Sequence, residues 1–207
     1  MKFCGITGIA DAQSAVDAGA DALGFVFDPK SVRAISADAA QTIAQSLPPF
    51  ISTVALFRDA ETEAVEKTLA QFNPDFLQFH GQESPEFCSR FRRPYLKAVS
   101  MSQPQDLEKW AARYTGARAL LLDSHAQGAI GGTGKPFDWA LLRKPARKPL
   151  VLAGGLNPDN VARAITMARP FAVDVSSGIE RAPGIKDPQR MREFIQQVRH
   201  ADATRDD

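Results

Sequence analysis

LVLAGGLNPDNVARAITMARPFAVDVSSGIE, residues 150–180, reads as strand, helix and strand, each strand running straight into a glycine turn. The apolar runs are LVLA (150–153) and FAVDV (171–175), and between them Val161, Ala164, Ile165 and Ala168 recur with the i, i+3, i+4, i+7 spacing of one helix face. Gly154, Gly155 and Gly178 let the backbone come close to an anion so that its N–H groups can donate to it, and a helix start adds partial positive charge. The two strand ends therefore predict a phosphate site at Gly154, Gly155 and Gly178, and with it a phosphorylated small-molecule substrate.

The same alternation extends back to the N-terminus. Short aliphatic and aromatic runs begin near Lys2, Ala22, Ile51, Asp75, Tyr95, Arg118, Leu150 and Phe171. Helical spacing lies between several of them, at Val65, Leu69 and Phe72, at Leu107, Trp110, Ala111 and Tyr114, and at Met191, Phe194, Ile195 and Val198. Ser36 marks the start of a helix containing Ile43 and Leu47, while Asn157 before Pro158 and Asp187 before Pro188 supply N-caps with a first-turn proline. Eight βα units with near-continuous apolar strands imply a parallel sheet buried on both faces. A count of eight predicts closure into a single-domain α/β fold, a (β/α)8 TIM barrel. The expected barrel domain covers residues 1–200, and residues 201–207 are expected to form a disordered tail, within a terminal RHADATRDD that frays.

With 207 residues, 44% apolar and 24% charged, the chain can bury one sizeable core. A formal charge of +1 without like-charge runs gives no field for nucleic acid or an anionic membrane. No stretch approaches the length of a membrane span, and MKFCGITG has no hydrophobic leader, which predicts a cytoplasmic protein. Cys4 and Cys88 match no metal-ligand spacing and are expected to be free thiols.

Barrel chemistry sits at the C-terminal strand ends and the loops that follow. There the sequence offers Cys4 and Gly5, then Lys30 and Arg33, Arg58, Gln78 and His80, Asp123 and His125, and Asp174 with Ser176 and Ser177. Cys4 is either a small buried apolar residue or, with positive charge or backbone donors beside it, a base or nucleophile. Asp123 ends a run of three leucines, so either a structural partner holds it or a raised pKa equips it to donate a proton. His125 is the rival general acid, and His80, before a glycine, reads first as a structural donor. Arg33 in a loop is well shaped to grip a carboxylate. GAIGGTGKPFDW (128–139) fails the P-loop pattern, because Pro136 stands where the hydroxyl residue would follow the lysine, and reads as a substrate-covering loop.

KFCGIT, GFVFDPKSVRAIS, LQFHG, LLLDS followed by GGTGKPFDW, LAGGLNPDNV and VDVSSGIE, in this order on successive strand ends, resemble the phosphoribosylanthranilate isomerase family of tryptophan biosynthesis. The resemblance implies an Amadori rearrangement of N-(5-phosphoribosyl)anthranilate to 1-(2-carboxyphenylamino)-1-deoxyribulose 5-phosphate, with neither cofactor nor metal. It further implies Asp123 as general acid, Cys4 as general base, Arg33 on the anthranilate carboxylate, Asp174 near the substrate amine or ribose, and Gly154, Gly155, Ser176, Ser177 and Gly178 on the phosphate. On this reading the aspartate pKa is raised and the thiol pKa lowered. The expected partner is the small substrate alone, and the chain is expected as a monomer or homodimer. Two alternatives keep the fold but change the function: another phosphate-binding barrel enzyme, such as an indoleglycerol-phosphate synthase or a pentose-phosphate epimerase, and a non-catalytic phosphate-ligand-binding barrel. A synthase of that kind would carry lysine and glutamate at strand ends, and an epimerase several histidines.

Overall fold

The computed structural model describes residues 1–124, 139–142 and 147–204. Strands β1 (Lys2–Cys4), β2 (Ala22–Val26), β3 (Ser52–Phe57), β4 (Phe76–Phe79), β5 (Tyr95–Ser100), β6 (Ala117–Asp123), β7 (Leu150–Leu152) and β8 (Ala172–Val175) form a closed barrel in chain order. All neighbours are parallel, and β8 pairs with β1 to close the seam, where Lys2 stands in register with Asp174. Every strand starts at or beside the residue where its apolar run predicted it.

Around the barrel lie α1 (Ile9–Ala18), α2 (Ala37–Gln45), α3 (Thr62–Gln71), α4 (Pro85–Arg90), α5 (Leu107–Arg113), α6 (Val161–Ala168) and α7 (Pro188–Ala203), with a 3-10 turn at Trp139–Leu142. Ser36 and Asp187 cap their helices as expected, Ser36 accepting from the Ala39 N–H and Asp187 from those of Gln189 and Arg190. Asn157 does not cap α6. Its side chain accepts from the Asp159 N–H, and the Asn160 side chain accepts from the Asn157 N–H, so residues 157–160 make their own turn and the helix starts after Asn160. Helices α1 and α4 carry no strong sequence pattern. The buried face of α1 is the small set Ala12, Ala15 and Ala18, and α4 is six residues behind the Ser84 cap and Pro85.

The tail boundary also moves. Helix α7 continues through Ala203 because Ala201 is buried against the core, so the terminal segment expected to fray is helical to that point. A hairpin of β9 (Glu180–Ala182) and β10 (Ile185–Lys186), turning at Pro183 and Gly184, follows β8.

Side chains alternate along each strand. Phe3, Leu23, Phe25, Phe57, Leu77, Phe79, Val99, Leu120, Leu122, Leu152 and Val173 point outward and join the helices in the main core. Ala98, Ala119, Leu121, Val151 and Ala153 fill the interior, and Cys4, Val26 and Leu56 cluster above them. This period of two places Cys4, Asp123 and Asp174 inward, on the top layer of the barrel. Among the described residues, no helix is long and apolar enough to cross a membrane.

Candidate active site

At the C-terminal end of the barrel a cavity of about 620 Å³ is lined by Cys4, Arg33, Arg58, Gln78, His80, Asp123, Gly154, Gly155, Asp174, Ser176, Ser177 and Glu180, among others. The strand ends thus bring eight of the nine expected site residues to one cavity: Cys4, Asp123, Arg33, Asp174, Gly154, Gly155, Ser176 and Ser177. The ninth, Gly178, is not part of its lining. A Cβ there would meet the Leu156 carbonyl oxygen at 1.9 Å, so Gly178 is where the loops after β7 and β8 press together. Gly154 and Gly155 both hold left-handed backbone, φ 77° and 68°. A Cβ on Gly154 would also strike the Ser124 amide nitrogen at 2.2 Å. His125 and nearly all of the loop 128–139 lie outside the described residues, so the rival acid and the covering loop are not placed.

Cys4 is 5% exposed. Gly24, its register partner on β2, makes room for it, since a Cβ there would lie 2.8 Å from Cys4 Sγ and 3.1 Å from Lys2 Cε. Burial pushes the thiol above its usual range; the Lys2 ammonium pulls it down, the Asp174 carboxylate pushes it up, and Lys186 opposes that. The lowered thiol expected of a base is therefore not met, because desolvation dominates.

Asp174 is not free to face a ligand with both oxygens. Lys2, two residues before Cys4 and on the same inward face, donates to its Oδ1 at 2.9 Å, and both side chains are buried. Burial works against the Lys2 charge, but Asp174 and then Cys4 outweigh it, so the ammonium is held above the usual lysine range.

Asp123 meets His80, whose Nε2 lies 3.2 Å from Asp123 Oδ2. The Gln78 amide is 2.9 Å from His80 Nδ1. An amide nitrogen can only donate, so Nδ1 accepts and the ring proton sits on Nε2, aimed at Asp123. The turn after His80 is pinned from outside the barrel: Glu83 accepts the Gly81 and Asp59 N–H groups, while buried Lys97 donates to Glu83 and to the Gly81 carbonyl. His80 thus lines the cavity with its Nε2 turned to the candidate acid, so the two readings of it, pocket group and structural donor, meet in one position.

Arg33 forks onto Glu180, with Nε and Nη2 each 2.7 Å from a carboxylate oxygen, and Lys186 donates to the same carboxylate at 2.9 Å. The Glu180 hydrogen bonds raise the Arg33 pKa. Burial opposes ionisation of Glu180, but Arg33 and Lys186 prevail and hold its carboxyl below the usual range. Lys186 is pushed down by burial.

The sequence reading missed Lys2, Glu180 and Lys186. Lys2 had a signal, an inward period-two position in an apolar strand. The other two depend on the short hairpin, marked only by Pro183 and Gly184.

The model of the N-(5'-phosphoribosyl)anthranilate isomerase family matches residues 1–197. The isomerase of Pseudomonas fluorescens is 48% identical over 200 residues, 97% of this chain and 95% of that protein. That of Thiobacillus denitrificans is 49% identical over 199 residues, 96% and 97% of the two chains. The crystal structure of the Thermotoga maritima isomerase superposes with a TM-score of 0.86 at 43% identity, covering 96% of this chain and 98% of that one. A further solved isomerase, in complex with reduced 1-(o-carboxyphenylamino)-1-deoxyribulose 5-phosphate, has a TM-score of 0.83 at 41% identity over 96% and 97% of the two chains. Matched over nearly all of its length by family, sequence and barrel, this chain belongs to the phosphoribosylanthranilate isomerases of tryptophan biosynthesis.

Proposed function

We propose that this isomerase works with Asp123 as general acid and Cys4 as general base on a substrate anchored at both ends. Asp123 protonates the ribose ring oxygen as the C1–O bond breaks, and the anthranilate nitrogen lone pair forms the C1=N bond of the open-chain Schiff base. Cys4, as thiolate, takes the proton from C2; the C2–H electrons form C1=C2 and the C=N electrons return to nitrogen. The resulting enolamine gains a proton at C1 and loses one from its C2 hydroxyl to give the ketose. Proton gains and losses cancel, so no cofactor or metal is needed.

The observation that carries this reading is that a thiol and a carboxyl face one cavity between a paired glycine turn and a cation clamp. The His80 N–H orients Asp123. Gly154, Gly155, Ser176 and Ser177 hold the phosphate, with Gly178 bringing the two phosphate loops together. Arg33, whose Nη1 is not used by Glu180, receives the anthranilate carboxylate. Holding a phosphate and a carboxylate at opposite ends fixes the reacting atoms between acid and base. The ligand we assign is this small phosphorylated substrate. Two free, buried cysteines agree with a cytoplasmic location.

The test is loss of anthranilate fluorescence when the purified protein is mixed with substrate made in situ, without added metal or nucleotide. Consumption is expected for the unaltered chain, and Asp123→Asn should lower it about 10²- to 10⁴-fold. Near-normal turnover in Asp123→Asn together with loss in His125→Ala would move the acid to His125.

A further inference from the structure

A base that burial keeps protonated needs something to release its proton. Lys2 and Asp174 face each other in register across the barrel seam, bonded at 2.9 Å, and both are nearly closed to solvent. Lys2 Cε and Cys4 Sγ crowd the same point above Gly24. The charged groups that bear on Cys4 are Lys2 from its own strand, Asp174 from β8, Lys186 from β10 and Arg33 from the loop after β2. Of these, Lys186 and Arg33 are both bonded to Glu180. Lys2 is instead bonded to Asp174, itself a lining group of the cavity.

We propose that Lys2 is a positioning residue that turns Cys4 into a base when substrate engages Asp174. In the free protein the Asp174 carboxylate offsets the Lys2 ammonium, and the thiol keeps its proton. When the substrate amine or a ribose hydroxyl donates to Asp174, part of that negative charge is taken up by the new bond. The uncompensated ammonium beside Sγ then favours the thiolate. The thiol proton leaves to solvent or to a substrate oxygen, and no redox change is involved. This rests on Cys4 being the base, as argued above, and it explains why a lysine occupies the floor of an otherwise apolar strand.

The test is the pH dependence of Cys4 alkylation by iodoacetamide, followed by peptide mapping, in the ligand-free protein. Cys88, its thiol pushed up to about 12 by burial, is resolved separately by the mapping. Asp174→Asn removes the offset and should move the Cys4 midpoint to lower pH. Adding Lys2→Met to that variant should move it back up by about one to three pH units, the range for a charge 4–6 Å away. Well below the midpoint, each such unit is about a tenfold slower reaction at fixed pH. The double variant leaves no orphaned buried charge, so it stays informative even where Lys2→Met alone fails to fold. Superimposable profiles for Asp174→Asn and the double variant would overturn the role of Lys2. Turnover retained in Cys4→Ala would instead overturn the base assignment, whatever the titration shows.

Discussion

Cys4 is poised by its surroundings more than by its own chemistry. Burial raises its thiol, so in the free enzyme the reactive thiolate is scarce at neutral pH. With Cys4 in its proposed role as base, which requires the thiolate, and with kcat/KM reporting the free enzyme, kcat/KM should climb with pH through a value above the ordinary thiol range. The limb in kcat, which reports the complex, should lie at lower pH once Asp174 is engaged. A steady-state pH profile checks both; coincident limbs would mean that substrate does nothing to the thiol. Arg33 makes a different prediction, since the role proposed for it is to hold the carboxylate at the far end of the substrate. Loss of a charge-assisted bond to the carboxylate costs about 1.5–3 kcal/mol, so Arg33→Ala should raise KM roughly 10- to 100-fold with kcat within a few-fold of normal. Initial-rate kinetics separates the two parameters.

Among the elements, the two glycine loops proposed to hold the phosphate and the hairpin depend most on close approach. Gly178→Ala would drive a methyl into the Leu156 carbonyl, so the loops must part, and inorganic phosphate should inhibit the variant less than the unaltered protein. Inhibition constants test this, and unchanged inhibition would show that the loops yield without cost. Glu180, on β9, ties the hairpin to Arg33 and Lys186. Its folded pKa lies below the unfolded carboxylate value of about 4.3, so its stabilisation is present above that pH and fades as the pH falls through the folded value. The stability deficit of Glu180→Gln, from urea midpoints, should therefore shrink in acid.

These elements were also unevenly legible. Strand starts were plain because inside and outside of a barrel are both apolar, and each run ends where its loop turns polar. Cys4, Asp123 and Asp174 could be placed at strand ends for that reason. The clamp of Arg33 by Glu180 could not, because a fork formed 147 residues apart in sequence leaves no local pattern. The pairing of His80 with Asp123 needs β4 and β6 to curve round the barrel, which no single segment encodes.

For the molecule as a whole, the interior of the barrel is thin and polar at its top, so the outer layer must carry stability. Phe79 sits in that layer, fully buried, with Phe57, Phe87, Phe91 and Tyr95 around its ring. Phe79→Ala should cost about 3–5 kcal/mol, read from denaturant unfolding. It also shares β4 with Gln78, which orients His80, so packing and chemistry meet on one strand. The whole account turns on the thiol of Cys4 doing the proton transfer. The most direct measurement is kcat of Cys4→Ala beside calorimetric affinity for the reduced product analogue: kcat should fall at least about 10²-fold with affinity preserved, whereas turnover within a few-fold of the unaltered enzyme would contradict it.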